Sequence, residues 1–115
     1  MTAGDAALTP LPQADGRTKP RPVSLLRQMP PFGDWLVCGV SAQLHQEVAG
    51  FDEIVAPAHA DFRQSGLKAP SLIRLGFLTV LPSDRLLGAL GSISAERHDR
   101  LVQRLGAFLQ SGQYA

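Results

Sequence analysis

The sequence predicts a mainly β domain that ends in one amphipathic helix. Short apolar segments separated by glycine- and proline-rich turns fill most of the chain, and the hydrophobic period becomes helical only near the C-terminal end. A length of 115 residues, with 44% hydrophobic and 18% charged residues, suits one folded domain spanning residues 1–115. This order of elements favours a small barrel or strongly bent sheet with the helix packed against it.

The N-terminal part of the chain predicts two strands. Residues 4–9 form a weak first strand that we expect to stop at the following prolines, which lack ladder donors. Residues 11–20 have the composition of an exposed, turn-rich connection. A short strand over residues 23–26 follows, and the chain is expected to break again at residues 29–34.

A nearly continuous apolar run, residues 35–40, predicts a strand that is buried on both faces at the centre of the sheet. Residues 51–55 are expected to form a partly exposed strand, and residues 71–81 a second long apolar strand. Residues 86–93 predict a last strand that two glycines kink.

The terminal helix has recognisable ends. Ser94 is a good N-cap, Glu96 lies in the first turn where the helix dipole favours an acid, and Gly112 marks the stop. The residues that recur at helical spacing are Leu101, Leu105, Phe108 and Leu109. Because Arg97, His98, Arg100 and Arg104 interleave with them, we expect one apolar and one mainly basic face.

Charge excludes one class of function and suggests a polarised surface. A net charge of +1 argues against a protein that holds nucleic acid by bulk electrostatics alone. Residues 16–28 contain four cations and no acid, whereas residues 47–61 contain four acids and neither lysine nor arginine. We therefore expect a basic and an acidic region on the domain.

Location and redox state follow from what the sequence contains. Cys38 is the single cysteine and lies in an apolar run, so we expect a buried, unreactive thiol in a reducing compartment. The longest uncharged apolar stretch is too short to span a membrane, and the N-terminus does not resemble a secretory signal. The expected location is the cytoplasm.

Few residues have spacing that indicates chemistry. The three histidines do not show a zinc motif, and neither a Gly-x-Ser-x-Gly nor a G-x-x-x-x-G-K sequence occurs. His45 follows a strand end and belongs either to a site rim or to a solvated loop. Arg21 stands between two prolines, where a stiff backbone aims its guanidinium; an edge-strand arginine in a surface ion pair is the alternative.

Several short motifs occur in a characteristic order along nearly the whole chain. They are Gly4-Asp5, Gly16, Arg21-Pro22-Val23, Val37-Cys38-Gly39-Val40-Ser41-Ala42-Gln43, Gly66-Leu67-Lys68, Ser71-Leu72-Ile73 and Leu90-Gly91-Ser92-Ile93-Ser94. This collinear set resembles the MazF/PemK-type toxins of bacterial toxin–antitoxin pairs. The chain departs from that family at residues 76–80, where members often carry polar residues that include an arginine.

The resemblance implies a small SH3-like β-barrel of the MazF/CcdB type with a C-terminal helix, usually a homodimer. It implies an endoribonuclease that cuts single-stranded RNA through 2′-OH attack, needs no metal or other cofactor, and is held in check by a cognate antitoxin. The resemblance assigns the family's two functional positions to Arg21 and Ser41. We add Arg17, Lys19, Gln43 and His45 as candidate substrate-binding residues.

Three alternatives stay open at this point. The chain could be a non-catalytic SH3-like barrel that binds a partner, a toxin related to the gyrase poisons that share the fold, or a degenerate family member without activity. The Arg21-Pro22 motif together with the Ser41 hydroxyl favours the ribonuclease, because a gyrase binder has no evident need for that pair.

Overall fold

Antiparallel strands build one curled sheet in the structure, a computed structural model that describes residues 1–12 and 14–114. Gln13 and Ala115 lie outside the described residues. The strands are β1 (Asp5–Pro12), β2 (Thr18–Met29), β3 (Asp34–Ser41), β4 (Glu53–Val55), β5 (Ser71–Leu81) and β6 (Gly88–Ser92). The helices are α1 (Phe62–Ser65) and α2 (Ala95–Ser111). In the sheet the strand order is β4-β5-β3-β2-β1-β6, which confirms the mainly β class with a C-terminal helix.

The strand β3 lies at the centre of the sheet, between β5 and β2, as its apolar sequence predicts. Its side chains alternate between two cores, because successive residues of a strand point to opposite faces. Cys38 and Val40 join the larger core, which includes Leu101 and Leu105 of α2. Trp35 and Val37 join the smaller core on the other face. The curled sheet therefore has apolar packing on both sides.

The ends of β1 and β2 pair to form an extended arm, so the prediction of a loop over residues 11–20 is wrong for most of that range. The strand β1 continues through Pro12, and β2 already begins at Thr18. Pro10 faces Pro20 in the register, and Leu8 faces Pro22. The pairing of β6 with β1 ends at Leu8, and that of β3 with β2 begins at Val23, so each strand of the arm has a partner on one side only. Proline fits such a ribbon wherever its missing N–H would point outward.

The helix α2 has the predicted ends. The Ser94 hydroxyl accepts the Arg97 N–H at 3.1 Å, and Gly112 ends the helix in the left-handed conformation with φ of 72°. Leu101 and Leu105 are buried, but Leu109, predicted to belong to the same stripe, is largely exposed. No helix among the described residues is long and apolar enough to cross a membrane.

The basic face of α2 is neutralised by the acidic segment, which corrects the expected acidic surface region, whereas Arg17, Lys19 and Arg21 of the basic region are exposed. Asp52, Glu53 and Asp61 are all buried, so β4, in which only Ile54 is partly exposed, is more buried than its charges predict. Arg97, only 6% exposed, pairs with Asp61 at 2.8 Å and with Glu53 at 2.7 Å. Arg100 and Arg104 also bond to Glu53, at 2.9 Å and 2.7 Å. We call Glu53, Asp61, Arg97, Arg100 and Arg104 the ionic cluster.

The one-turn helix α1 was not predicted, and it packs against the opposite edge of the sheet. It follows β4, one edge strand, but its backbone lies against Gly91 of β6, the other edge strand. A Cβ on Gly91 would lie 2.1 Å from the carbonyl oxygen of Gln64. The glycine is therefore required for close packing between α1 and β6, and this contact closes the curl of the sheet.

Candidate active site

A cleft of about 430 Å³ lies where the β1–β2 arm meets the end of β3 and the middle of β5. Its polar side chains are Arg21, Ser41, Gln43 and Arg74. Its apolar wall includes Leu11, Pro22, Val40 and Phe77. We call this cavity the arginine cleft. Residues far apart in sequence therefore meet around one surface depression that carries two guanidinium groups and a hydroxyl.

The prolines of the arm position Arg21. The residue is exposed and faces Thr9 across the β1–β2 ladder. Thr9 is fully buried, and its hydroxyl donates to the Arg85 carbonyl at 2.8 Å, which ties the partner strand to the body of the protein. The rings of Pro20 and Pro22 restrict the backbone on both sides of Arg21. The guanidinium thus extends from a stiff support at the cleft.

Ser41 is the last residue of β3 and is half-buried at the cleft. Its Oγ accepts the backbone N–H of Gln43 at 3.0 Å. This bond holds the oxygen in place but does not use the hydroxyl proton, so the O–H can still donate to a ligand. Gln43 follows the strand end and places a side-chain amide beside the same cleft.

Arg74 is the cleft residue that sequence analysis missed. It lies on β5 opposite Gly39, half-buried, directly after the Ser71-Leu72-Ile73 motif. The register then shifts, so that Cys38 faces Leu78 and residues 75–77 bulge from the ladder. The Phe77 ring lies so close to Gly39 that a Cβ on Gly39 would be 2.9 Å from the nearest ring carbon. Arg74 could be recognised as a cleft residue only from its place just before the glycine-containing bulge. The sequence does not reveal that bulge, because it depends on the strand register.

The other candidate residues surround the cleft or lie beyond it. The described residues that line the arginine cleft do not include Arg17, Lys19 or His45. Arg17 is exposed at the tip of the arm, where its backbone N–H donates to Asp15 at 3.0 Å. Lys19 is exposed and faces Leu11 in the ladder. His45 is exposed in the short 3₁₀ turn Leu44–Gln46, just after the strand end that carries Ser41.

Groups with other chemistry lie elsewhere. Burial raises the pKa of the Cys38 thiol to about 12, so the predicted unreactive cysteine is buried and protonated at neutral pH. Burial also lowers the pKa of His98, whose Nδ1 is shielded and lacks a hydrogen-bond partner among the described residues. No group of three or more potential metal ligands occurs within residues 1–12 and 14–114.

The arginine cleft has the chemistry of an anion site. Guanidinium groups remain charged at all physiological pH values and bind phosphate or carboxylate oxygens in pairs, and the Ser41 hydroxyl adds a neutral donor. Apolar side chains line the other wall and offer a surface for the uncharged part of a ligand. A scan of protein-family models and a search of curated proteins each found no match to this sequence.

Proposed function

We propose that the protein is an endoribonuclease of the MazF/PemK toxin type that cleaves single-stranded RNA in the arginine cleft. The observation that carries this proposal is the meeting of Arg21, Ser41 and Arg74 around one cavity. Arg21 and Ser41 are the two residues that the family resemblance implies, and they lie on different strands. A second cation next to them suits a substrate with a backbone of phosphates.

The chemistry uses the substrate's own nucleophile. The ribose 2′-oxygen attacks the adjacent phosphorus and loses its proton to water, while the bond from phosphorus to the 5′-oxygen breaks. The 5′-oxygen takes up a proton from water, which leaves a 2′,3′-cyclic phosphate and a 5′-hydroxyl end. Negative charge on the phosphate oxygens increases in the transition state, and Arg21 stabilises that charge because a guanidinium can bond two oxygens at once.

The remaining groups support this step. Ser41 donates a hydrogen bond to a phosphate oxygen through the proton that its bond with Gln43 leaves available. Arg74 adds a second positive charge at the same cleft. A guanidinium releases a proton only to a strongly basic leaving oxygen, so electrostatic stabilisation is the main role of Arg21. Such a reaction needs neither metal nor organic cofactor.

The proposal includes the partners and location of such a toxin. An antitoxin that covers the cleft would need an acidic segment to match Arg21 and Arg74. The proposed homodimer would use the exposed apolar side chains of β5, which are Phe77, Leu78 and Val80, as its contact surface. With RNA as its substrate, the proposed toxin would act in the cytoplasm.

Cleavage of an unstructured RNA in the presence of EDTA tests the proposal. We expect Arg21→Ala to lower kcat by about 100-fold or more, the usual loss when a transition-state donor is removed. We expect Ser41→Ala to lower it by about 10- to 100-fold, the effect of one hydrogen bond to a charged group. The RNA fragments should carry cyclic phosphate and 5′-hydroxyl ends.

Arg63→Ala is the matched control, because Arg63 is an exposed arginine on α1 outside the cleft. It should cut RNA at the wild-type rate. Equal rates for Arg21→Ala, Ser41→Ala and the control would reject the assigned site. Intact RNA together with growth arrest that persists in the Arg21→Ala variant would instead favour a toxin that binds its target without cutting RNA.

A further inference from the structure

A second cavity of about 390 Å³ lies between the end of α2 and β5. Its walls include Phe51, Phe108 and Tyr114, whose rings lie against one another with centroids 5.2 to 5.9 Å apart. Tyr114 is still 53% exposed, so its ring is accessible to a ligand. We call this cavity the aromatic groove. It is mainly apolar, but Gln46, Asp52 and Arg74 also line it.

Arg74 lines both the aromatic groove and the arginine cleft. The bulge of β5 forms the wall between them: Phe77 lines the cleft, whereas Gly76 and Leu78 line the groove. The two cavities are therefore separated by a single stretch of strand and share one guanidinium. A ligand with a phosphate at Arg74 can extend into either cavity.

The groove also carries a hydrogen-bond acceptor at a defined place. The Asp52 carboxylate is 5% exposed and is held by two backbone donors, the Val48 N–H at 2.9 Å and the Leu75 N–H at 3.1 Å. Each carboxylate oxygen has two acceptor positions, so one remains on each oxygen. A carboxylate in this position attracts amino groups and repels carbonyl oxygens.

We propose that the aromatic groove binds one unstacked nucleobase that bears an exocyclic amino group, next to the phosphate cleaved in the arginine cleft. Aromatic rings stack on bases that are splayed out of single-stranded RNA. Arg74 holds the phosphate that links this nucleotide to the scissile position, and Asp52 accepts a hydrogen bond from the base amino group. This inference rests on the proposed function and adds a base preference to it.

Binding of mononucleotides tests the subsite apart from cleavage. Tyr114 is the only tyrosine of the chain, so protein labelled with ¹³C-tyrosine gives one set of ring signals in an NMR titration. The Arg21→Ala protein serves as the sample, which separates binding from catalysis. AMP and CMP should shift the Tyr114 ring signals, and UMP, which lacks an amino group, should shift them much less.

Two variants define the contacts. Tyr114→Ala should weaken AMP binding by about 10-fold, within the range seen when a stacking ring is removed; because this variant lacks the tyrosine reporter, titration calorimetry measures its affinity and those of the other variants. Arg74→Ala should bind AMP no better than adenosine, because the phosphate contact is gone. The matched control is Phe32→Ala, since Phe32 is 86% exposed in the turn between β2 and β3. Its affinity for AMP should equal that of the parent protein.

The outcomes separate this inference from the proposed function. If wild-type protein cuts RNA but nucleotides leave the Tyr114 signals unmoved, the subsite is rejected and the ribonuclease stands. If AMP shifts the signals but RNA stays intact, the ribonuclease is rejected and the base site stands. Equal shifts by CMP and UMP would reject the amino-group preference. Shifts that follow protein concentration instead of nucleotide would assign the groove to a second copy of the chain.

Discussion

At the scale of single residues, Gly39 and Gly91 illustrate two kinds of close contact, one with a side chain and one with a backbone. Gly39 of β3 lies under the Phe77 ring at the arginine cleft, and Gly91 of β6 lies against the α1 backbone. The two cases differ in how the neighbour can respond. A partly exposed ring can rotate away, but the backbone of α1 cannot move without disturbing the turn to which it belongs.

Gly91→Ala should therefore strongly destabilise the protein. Its Cβ would lie 2.1 Å from the Gln64 carbonyl oxygen and 2.7 Å from the Ser65 carbonyl carbon. We expect a loss of about 3 kcal/mol in the free energy of unfolding, at the upper end of ordinary overpacking. Gly88→Ala, in the same strand with open space around its Cβ position, is the control and should change stability by less than about 1 kcal/mol. Urea denaturation measures both, and equal losses would contradict the packing argument.

At the scale of elements, the ionic cluster joins three parts of the fold. Asp61, just before α1, accepts hydrogen bonds from the Ser94 N–H at 3.0 Å and from Arg97, both at the start of α2. Glu53 of β4 holds Arg97, Arg100 and Arg104 along the same helix. The cluster fixes how α2 lies across β4 and α1, because breaking a buried pair leaves an uncompensated charge.

Stability should fall in acid because of these carboxylates. Hydrogen bonding to Arg97 lowers the pKa of Asp61. Burial alone would raise the pKa of Glu53, but Arg100, Arg104 and Arg97 together lower it. Groups with lowered pKa values bind fewer protons in the folded state, so their stabilisation is complete above their ordinary values of 3.8 and 4.5 and is lost as pH falls below them.

Asp61→Asn isolates this effect. It should lower the free energy of unfolding by about 3 kcal/mol at neutral pH, because Arg97 loses a charged partner. The difference from wild type should shrink as pH falls through the acid range, where wild type also loses the ion pair. Asp15→Asn, at an exposed carboxylate on the arm, is the control. Denaturant unfolding across the acid range measures the slopes, and a constant difference between Asp61→Asn and wild type would contradict the assignment.

At the scale of the whole molecule, the arginines of α2 are held by buried acids, and other cations lie on the arm and at the cleft. Three arginines of α2 are bound to Glu53 and Asp61. The arm and the cleft contribute Arg17, Lys19, Arg21 and Arg74. A protein with a net charge of +1 can still present a local cationic surface, because several of its acids are buried.

The salt dependence of RNA affinity should report this surface. With an RNA oligonucleotide blocked by 2′-O-methyl groups, Arg21→Ala should reduce the slope of log K against log salt by about 0.7, the value for one phosphate contact on a single strand. Arg100→Ala should leave the slope unchanged, because that guanidinium is held by Glu53. Fluorescence anisotropy at several salt concentrations measures both. If Arg21→Ala kept the wild-type slope, Arg21 would not contact a phosphate of the bound RNA.

The sequence predicted those elements whose geometry depends on near neighbours in the chain. The apolar run of β3, the break at residues 29–34 and both ends of α2 were predicted, because burial on two faces and helix capping depend on spacing over a few residues. The sequence also singled out Arg21 and Ser41, which prove to line one cleft.

Tertiary structure decided what depends on strand register and on the position of opposite charges. The prolines of the arm belong to strands because each arm strand pairs on one side only. Composition alone does not encode that pairing. Arg74 reaches the cleft through a register shift opposite Gly39. The acids near β4 and the arginines of α2 are far apart in the chain and cancel only when folded. Local spacing determines which way a residue faces, but the fold determines what it meets there.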